Sequence, residues 1–141
     1  MVTALFAAQL VPLTRGSNAP SIDTLPAPAR IEATLKRACY DCHSNQTRWP
    51  WYSRVAPLSW LIVHEVNAGR RQLNFSDWES YYPATRRRKL EWIGRAVRAD
   101  KMPPWDYTLI HRGARLSEAD KAALEEWIES ALAIPAAERS K

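Results

Sequence analysis

The chain has 141 residues and a mass of 16.1 kDa, which is the size of one domain, since domains average about 150 residues. Charged residues make up 25% of it and apolar residues 46%, a balance that is typical of a folded domain and excludes a wholly disordered chain. The formal net charge of +5 indicates a basic surface, which attracts acidic partners without choosing among protein, nucleic acid and lipid.

The amino end is apolar and then becomes rich in proline, serine and asparagine. Residues 2–13 are too few to cross a bilayer, which takes about 20 apolar residues, and no Lys or Arg precedes them as in a complete secretory signal. We expect residues 1–13 to be the remnant of an export signal or membrane anchor, with a short amphipathic or disordered tail as the alternative. Residues 14–28 lack periodicity and predict a linker or an extended arm around the domain.

Four segments repeat apolar residues at spacings of three and four, which is typical of helices. They run over about residues 28–42, 57–69, 83–99 and 117–132. Glycine is scarce and there is no internal repeat, so the predicted fold class is all-α, a bundle of about four helices over residues 29–134 with a flexible tail at 135–141.

Each later segment carries an expectation of its own. The second is apolar around most of its circumference and is expected to be largely buried. The third holds most of the basic excess, and its inward face is predicted from Leu90 to Val97. The fourth begins with a capping box of Ser117 and Asp120, and a second box, Ser76 with Glu79, predicts a short extra turn.

The two cysteines lie in Cys39-Tyr40-Asp41-Cys42-His43, which is C-x-x-C-H, the attachment signature of a c-type haem. Two thiols three residues apart at a helix end can reach one porphyrin edge, where each can add to a vinyl group as a thioether. The adjacent His43 is then held under the ring, where its Nε2 can bind the iron.

Three other uses of a cysteine pair fit the sequence less well. A structural zinc site needs four Cys or His ligands, and the remaining histidines, His64 and His111, are 47 residues apart. A redox dithiol of the thioredoxin type needs a βαβ context, and the residues around Cys39 contain no strand candidate. A disulfide across two intervening residues closes too small a loop to contribute much stability.

The predicted sixth iron ligand is Met102, 59 residues after His43 in a loop between the third and fourth segments. A thioether favours Fe(II) and raises the reduction potential, which suits an electron carrier. Pro103 and Pro104 would hold the loop stiffly. Three alternatives stay open: Met102 fills a gap in the core, His64 faces the haem or is a core histidine, and His111 bonds a propionate or a carbonyl.

A longer string of residues carries a family resemblance. It comprises Cys39-Tyr40-Asp41-Cys42-His43-Ser44-Asn45 with Thr47, Trp49-Pro50-Trp51-Tyr52, Pro57-Leu58-Ser59-Trp60, Gly69-Arg70, Leu73-Asn74-Phe75-Ser76 with Trp78, Met102-Pro103 with Tyr107 and His111, and Leu116-Ser117 with Trp127. Over about residues 14–132 the chain resembles class I monohaem cytochromes c, and more closely the small haem-binding-domain family of bacterial c-type cytochromes. The resemblance implies a cytochrome c-like bundle around one covalent haem c, and an amino-terminal signal-anchor.

The resemblance also implies export, because thioether formation takes place outside the cytoplasmic membrane. We therefore expect a periplasmic protein, with an amino-terminal anchor to the outer face of that membrane. The sequence lacks the basic start and most of the apolar run of such an anchor.

Several residues are expected to build the haem pocket. A backbone carbonyl near Pro50 or Pro57 would accept the His43 Nδ1 proton, and Arg70 and Arg71 would neutralise propionates unless they form a solvated face. Tryptophans would supply the wall, because a large apolar ring needs large apolar partners. The expected wall tryptophans are Trp49, Trp51, Trp60 and Trp105. The candidate cofactor-binding residues are Cys39, Cys42, His43, Trp49, Pro50, Pro57, Trp60, His64, Arg70, Pro103, Trp105 and Tyr107, with His43 and Met102 as iron ligands.

The preferred function is outer-sphere electron transfer by a His/Met-ligated iron, without enzymatic activity. The basic third helix would steer an acidic redox partner, although a solvated face is the commoner use of such charge, and no motif for nucleic-acid binding occurs. A haem enzyme or gas sensor with an open or labile sixth position is the main alternative, with weak peroxidase activity if Met102 is not a ligand. A scaffold that uses haem only for folding is the third hypothesis.

Overall fold

The computed structural model describes residues 8–19 and 25–134 of the chain. Within them it contains six α-helices of at least four residues and no strand, so the all-α prediction is confirmed. The helices are α1 (Ala29–Ala38), α2 (Tyr40–His43), α3 (Leu58–Gln72), α4 (Pro83–Arg98), α5 (Trp105–Ile110) and α6 (Glu118–Ala133). Short 3-10 turns occupy Trp51–Arg54, Trp78–Ser80 and Arg112–Ala114.

The core lies where α1, α4 and α6 meet. Each helix contributes one apolar stripe, and the segment between α3 and α4 adds bulky aromatic and aliphatic side chains to the same cluster. Its buried members are Leu25, Ile31, Leu35, Tyr40, Leu73, Phe75, Trp78, Leu90, Ile93, Val97, Leu124 and Ile128. The predicted inward face of the third segment, from Leu90 to Val97, is therefore confirmed.

The first predicted helix breaks at Cys39 and does not run unbroken to Cys42. The Cys39 N–H still donates to Leu35 O, but the Cys39 φ of −127° (with ψ of −33°) lies far from the helical φ of about −63°. Its carbonyl then accepts from Cys42 N (3.2 Å) and His43 N (2.9 Å), which starts the separate turn α2. The break places Tyr40–His43 in a separate helical turn after α1.

The second predicted helix is observed as α3, but the expectation that it is largely buried is wrong. Its buried side chains are those of Ser59, Val63 and Val66, while Leu58 and Leu61 are 51% and 56% exposed. The reason is that α3 packs along one face, against α2 and the Trp51–Arg54 turn, so the remaining apolar positions have no neighbouring element.

The two predicted capping boxes have different outcomes. Asp120 N donates to Ser117 Oγ at 3.1 Å and Ser117 N donates to Asp120 Oδ2 at 2.9 Å, so the box on α6 is confirmed. The short turn after Ser76 also forms, but the box is wrong: Ser76 Oγ accepts instead from Asn45 N at 2.9 Å, and Asp77 precedes the turn.

Residues 14–19 extend along α3 and are hydrogen-bonded to it. Asn67 donates to Thr14 O (2.9 Å) and accepts from Gly16 N (3.1 Å), and Arg70 donates to Ser17 O (2.8 Å). Space is tight there, because a Cβ on Gly16 would lie 2.5 Å from an Arg70 Nη atom. This stretch has the form of the extended arm rather than of a free linker.

The described part of the amino-terminal segment is attached close to α3. The Gln9 amide donates to Ala56 O at 3.3 Å and accepts from Ala56 N at 3.1 Å. Among the described residues, no helix has both the length and the apolar character needed to cross a membrane. Most of the predicted signal remnant (residues 1–7) and the predicted tail (135–141) lie outside the described residues.

Candidate functional site

A cavity of about 290 Å³ opens between α2, α3, α4 and the loop that precedes α5. Its walls are mainly apolar, from Phe75, Trp92, Ile93 and Val97 among others. Both cysteines of the C-x-x-C-H motif, its histidine and the methionine of the loop line this same space. The fold thus brings together groups that lie up to 63 residues apart in the sequence.

His43 is fixed in a single orientation at one side of the cavity. Its side chain is buried, with 7% exposed, and Nδ1 lies 3.0 Å from Gly69 O and 3.1 Å from Leu73 O. Because both partners are carbonyls, Nδ1 carries the proton and Nε2 keeps its lone pair. Burial lowers the pKa of the imidazole despite the opposite effect of the two carbonyls, so the ring is neutral at pH 7.

The expected acceptor near Pro50 or Pro57 is therefore wrong, because the carbonyls belong to the end of α3. Gly69 allows this helix to approach the C-x-x-C-H turn closely: a Cβ at this position would lie 2.6 Å from Cys42 O. Gly69 stands in the string that carries the family resemblance, but a helical glycine gives no sign of which carbonyl it presents.

The aromatic wall differs from the one expected. Trp92 of α4 meets the His43 ring edge-on at 6.3 Å between centroids, and Phe75 does so at 6.4 Å. In addition, Phe75 N donates to His43 O at 2.7 Å, which fixes the carboxyl end of α2. Trp92 precedes Ile93 of the inward face of α4, and this position is the sequence feature from which its role could have been predicted.

The expected tryptophan wall is wrong, since none of its four members lines the cavity in the part of the chain that is described. Trp51 and Trp105 are each 78% exposed, Trp60 is also exposed, and Trp49 packs beneath the guanidinium of Arg15 at 5.3 Å. Trp49 therefore contacts the extended arm (residues 14–19), which contains Arg15, instead of the cavity. Pro50 and Pro57 likewise lie outside the cavity lining.

The two cysteines are free thiols at the cavity wall. Burial raises the pKa of Cys39 to about 12 and that of Cys42 to about 11, so both are protonated at neutral pH. In the described residues, no group of three or more His, Cys, Asp or Glu side chains is placed to hold a metal ion.

The Met102 loop turns back over the cavity at the end of α4. Ala96 O accepts from Lys101 N (2.9 Å) and from Met102 N (3.3 Å), while Asp100 adopts a left-handed backbone with φ of 51°. Aspartate tolerates this conformation better than most residues. Met102, Pro103 and Pro104 all line the cavity, and the Met102–Pro103 peptide bond is cis.

Helix α5 follows this loop where the sequence predicted no helix. Its Tyr107 lines the cavity, as expected of a cofactor-binding residue, and its hydroxyl donates to Asp41 Oδ2 at 2.8 Å. Asp41 also accepts from the Arg48 backbone and guanidinium. Burial would raise the pKa of Asp41, but these hydrogen bonds outweigh it and lower the pKa.

The remaining histidines and the expected propionate partners lie outside the cavity lining. His64 is exposed on α3, and His111 stacks on Tyr107 at 4.3 Å. Arg70 donates to Asn18 Oδ1 and Thr47 Oγ1 as well as to the arm backbone, so its charge serves the arm rather than the cavity. Arg71 is exposed.

The donor set and the walls fit a haem. Two thiols stand on one side, His43 presents a free Nε2 from a fixed ring, Met102 offers a thioether, and the lining between them is apolar. The two thiols would hold the macrocycle by its edge, and His43 would bind the iron.

Comparisons with known proteins point to the same cofactor. Residues 3–130 match the model of the family described as the haem-binding domain. The chain is also similar to the cytochrome c peroxidase Ccp of Escherichia coli (strain K12), with 22% identity over 99 residues, covering 66% of this chain and 21% of that protein. This chain thus corresponds to about a fifth of that relative's length, and no solved structure matches it. The family match extends over most of the sequence and includes the whole cavity, so the chain belongs to the haem-binding-domain family.

Proposed function

We propose that this haem protein is a monohaem c-type cytochrome that carries single electrons. In this proposal, thioether bonds to Cys39 and Cys42 hold one haem, and His43 and Met102 ligate its iron. The observation that carries the proposal is the convergence of both thiols, the oriented imidazole and the methionine on one apolar cavity.

The attachment chemistry follows from the position of the two thiols. Each S–H adds across one vinyl group, so that sulfur bonds to one carbon, hydrogen goes to the other, and nothing is oxidised or reduced overall. The half-buried positions of Cys39 and Cys42 on one wall of the cavity favour reaction with the same porphyrin edge.

The surrounding residues tune electron transfer from two sides. When bound, the haem supplies an iron that alternates between Fe(III) and Fe(II). The carbonyls of Gly69 and Leu73 on the Nδ1 proton make His43 a more basic ligand, which favours Fe(III). The Met102 thioether acts in the opposite direction, and the apolar walls exclude water.

Similarity to the E. coli cytochrome c peroxidase favours a second candidate, a haem enzyme or sensor with an open or labile sixth position. Its acid–base chemistry would have to come from polar groups at the cavity, such as Glu65 and Gln72. His64 and His111, the expected donors, lie outside the lining, which favours the electron carrier.

The proposal includes a compartment and a partner. The apolar residues 2–13 support export to the periplasm and an anchor on the outer face of the cytoplasmic membrane. The exposed arginines of α4, among them Arg88 and Arg95, support an acidic redox partner, although Glu91 and Glu125 neutralise Arg87 and Arg98. No feature supports nucleic-acid binding.

Two measurements test the proposal on protein matured with haem. Haem should stay on the denatured wild-type chain during acid–acetone extraction and be released from the Cys39→Ala/Cys42→Ala variant. The ferric spectrum should contain the weak charge-transfer band of an iron–methionine sulfur bond, which disappears in Met102→Ala and persists in the control His64→Ala. Absence of that band in the wild type, with immediate binding of cyanide, would establish the open-site alternative.

A further inference from the structure

The loop that carries Met102 is held at both of its ends. At the start, Ala96 O at the carboxyl end of α4 accepts hydrogen bonds from the loop backbone, including Met102 N. Five residues after the methionine, the Tyr107 hydroxyl donates to Asp41 Oδ2 at 2.8 Å. The loop therefore spans the cavity from α4 to the C-x-x-C-H turn, with Pro103 and Pro104 limiting its internal freedom.

Helix α5 has little packing that would replace the second attachment. Trp105, Leu109 and Ile110 are all exposed, and Thr108 is the one buried residue of this six-residue helix. A second hydrogen bond, between His111 Nε2 and Tyr52 Oη at 3.2 Å, fixes the carboxyl end of α5 to the Trp51–Arg54 turn, away from the haem-attachment motif.

Asp41 is a rigid acceptor for Tyr107. It stands between the two cysteines, its side chain is 13% exposed, and Arg48 donates to it from the backbone (3.0 Å) and from the guanidinium (3.2 Å twice). Its own carbonyl accepts from Thr47 Oγ1 at 2.7 Å. A hydrogen bond to such a held carboxylate is stronger than one between neutral groups.

We propose that the Tyr107–Asp41 hydrogen bond is a clasp that keeps Met102 on the iron, with Tyr107 as a positioning residue for the sixth ligand. This inference rests on the proposed function, because it requires methionine ligation. Opening the clasp removes the attachment of the loop to the C-x-x-C-H turn, while the end at Ala96 and the Tyr52–His111 hydrogen bond remain. The strength of this one contact thereby sets how readily an external ligand replaces the methionine.

Titration of the ferric holoprotein with imidazole tests the clasp, because imidazole competes with Met102 for the sixth position. We expect Tyr107→Phe to bind imidazole about tenfold more tightly than the wild type, the effect of losing one hydrogen bond to a charged group. Asp41→Asn should give a change in the same direction, and the double variant should add little to either single variant.

Tyr52→Phe is the matched control, since it removes the other hydrogen bond that holds α5 and leaves the clasp intact. Unchanged imidazole affinity in Tyr52→Phe, together with the increase in Tyr107→Phe, supports the clasp. Equal increases in both variants, or an unchanged affinity in Tyr107→Phe, overturn it. A shift in the urea unfolding midpoint without a change in imidazole affinity also overturns it, because that result is expected of a purely structural contact.

The wild-type spectrum separates this failure from failure of the proposed function. An iron–methionine band in the wild type with unaltered affinity in Tyr107→Phe rejects the clasp alone. Absence of the band in the wild type rejects methionine ligation, and the clasp with it.

Discussion

The two sides of the cavity are built very differently. On the His43 side, two backbone carbonyls, two aromatic rings and a close helix approach fix one side chain. On the Met102 side, a short loop and an exposed helix are attached by a few hydrogen bonds. The chain therefore holds one proposed iron ligand, His43, with redundant contacts and the other, Met102, with contacts that can be removed singly.

This difference indicates which side of the cavity tolerates the loss of a single contact. Loss of one contact around His43 leaves several others, so that side is suited to permanent attachment. On the opposite side each contact has a large share in the position of Met102, so we expect modest changes there to alter ligand exchange at the proposed iron site without unfolding the domain.

A pair of tryptophan substitutions should give the largest difference in the free energy of unfolding between the two sides of the cavity. Trp92→Ala removes the ring that packs against His43, and we expect it to lower the free energy of unfolding by about 3 kcal/mol. Trp105→Ala removes an exposed ring and should change it by less than about 0.5 kcal/mol. Urea unfolding measures both, and equal losses would contradict the contrast.

A pair of glycine substitutions tests the same contrast at the backbone. Alanine in place of a helical glycine ordinarily stabilises by about 1 kcal/mol, but Gly69→Ala places a Cβ against Cys42 O and should destabilise by about 2 kcal/mol. It should also weaken the orientation of His43. Gly113→Ala is the control, because its Cβ meets nothing within 4 Å. A stabilised Gly69→Ala variant would show that the close approach is not required.

The smallest effect lies outside both regions and provides a baseline. The Ser117 backbone N–H, followed by its hydroxyl and Arg37, lowers the pKa of Asp120 despite some burial. A carboxyl with a lowered pKa stabilises the fold above its unfolded pKa of about 3.9, and this stabilisation is lost as the pH falls through the folded value. Asp120→Asn should therefore cost about 0.5 kcal/mol at pH 7 and nothing in strong acid.

Urea unfolding at both pH values measures the contribution of Asp120. Glu118→Gln in the same turn of α6 is its control, since Glu118 is the first helical residue and takes no part in the capping box. A loss in Asp120→Asn that persists unchanged in strong acid would contradict the assignment to the ionised carboxyl.

The helices could be predicted because their signals are local. Pro83 at the start of α4, the Ser117 cap of α6 and the inward stripe through Leu90 and Val97 each act within a few residues. The break at Cys39 was not predictable in this way, because its local sequence continues an apolar helical stripe. Likewise the exposure of Leu58 and Leu61 depends on which elements pack against α3, and spacing alone carries no such information.

The residues of the site likewise divide into those with a local signal in the sequence and those without one. The C-x-x-C-H spacing identified the residues around His43, and the proline-flanked methionine identified the loop that lines the same cavity. The carbonyl partners of His43 could not be identified, because any backbone position offers the same acceptor. Arg70 was expected at the cavity, but an arginine has the same chemistry toward a propionate as toward the arm carbonyls that it contacts.

The attachment of the amino-terminal arm has a mechanical consequence. A domain on a flexible tether swings freely about its attachment point, whereas here Gln9 is fixed to Ala56 and the next stretch is fastened to α3. Arg70 also donates to Thr47, whose hydroxyl donates to Asp41 O in the C-x-x-C-H motif. A load applied at Gln9 is therefore carried into the cavity wall along a chain of hydrogen bonds, through the arm, Arg70 and Thr47.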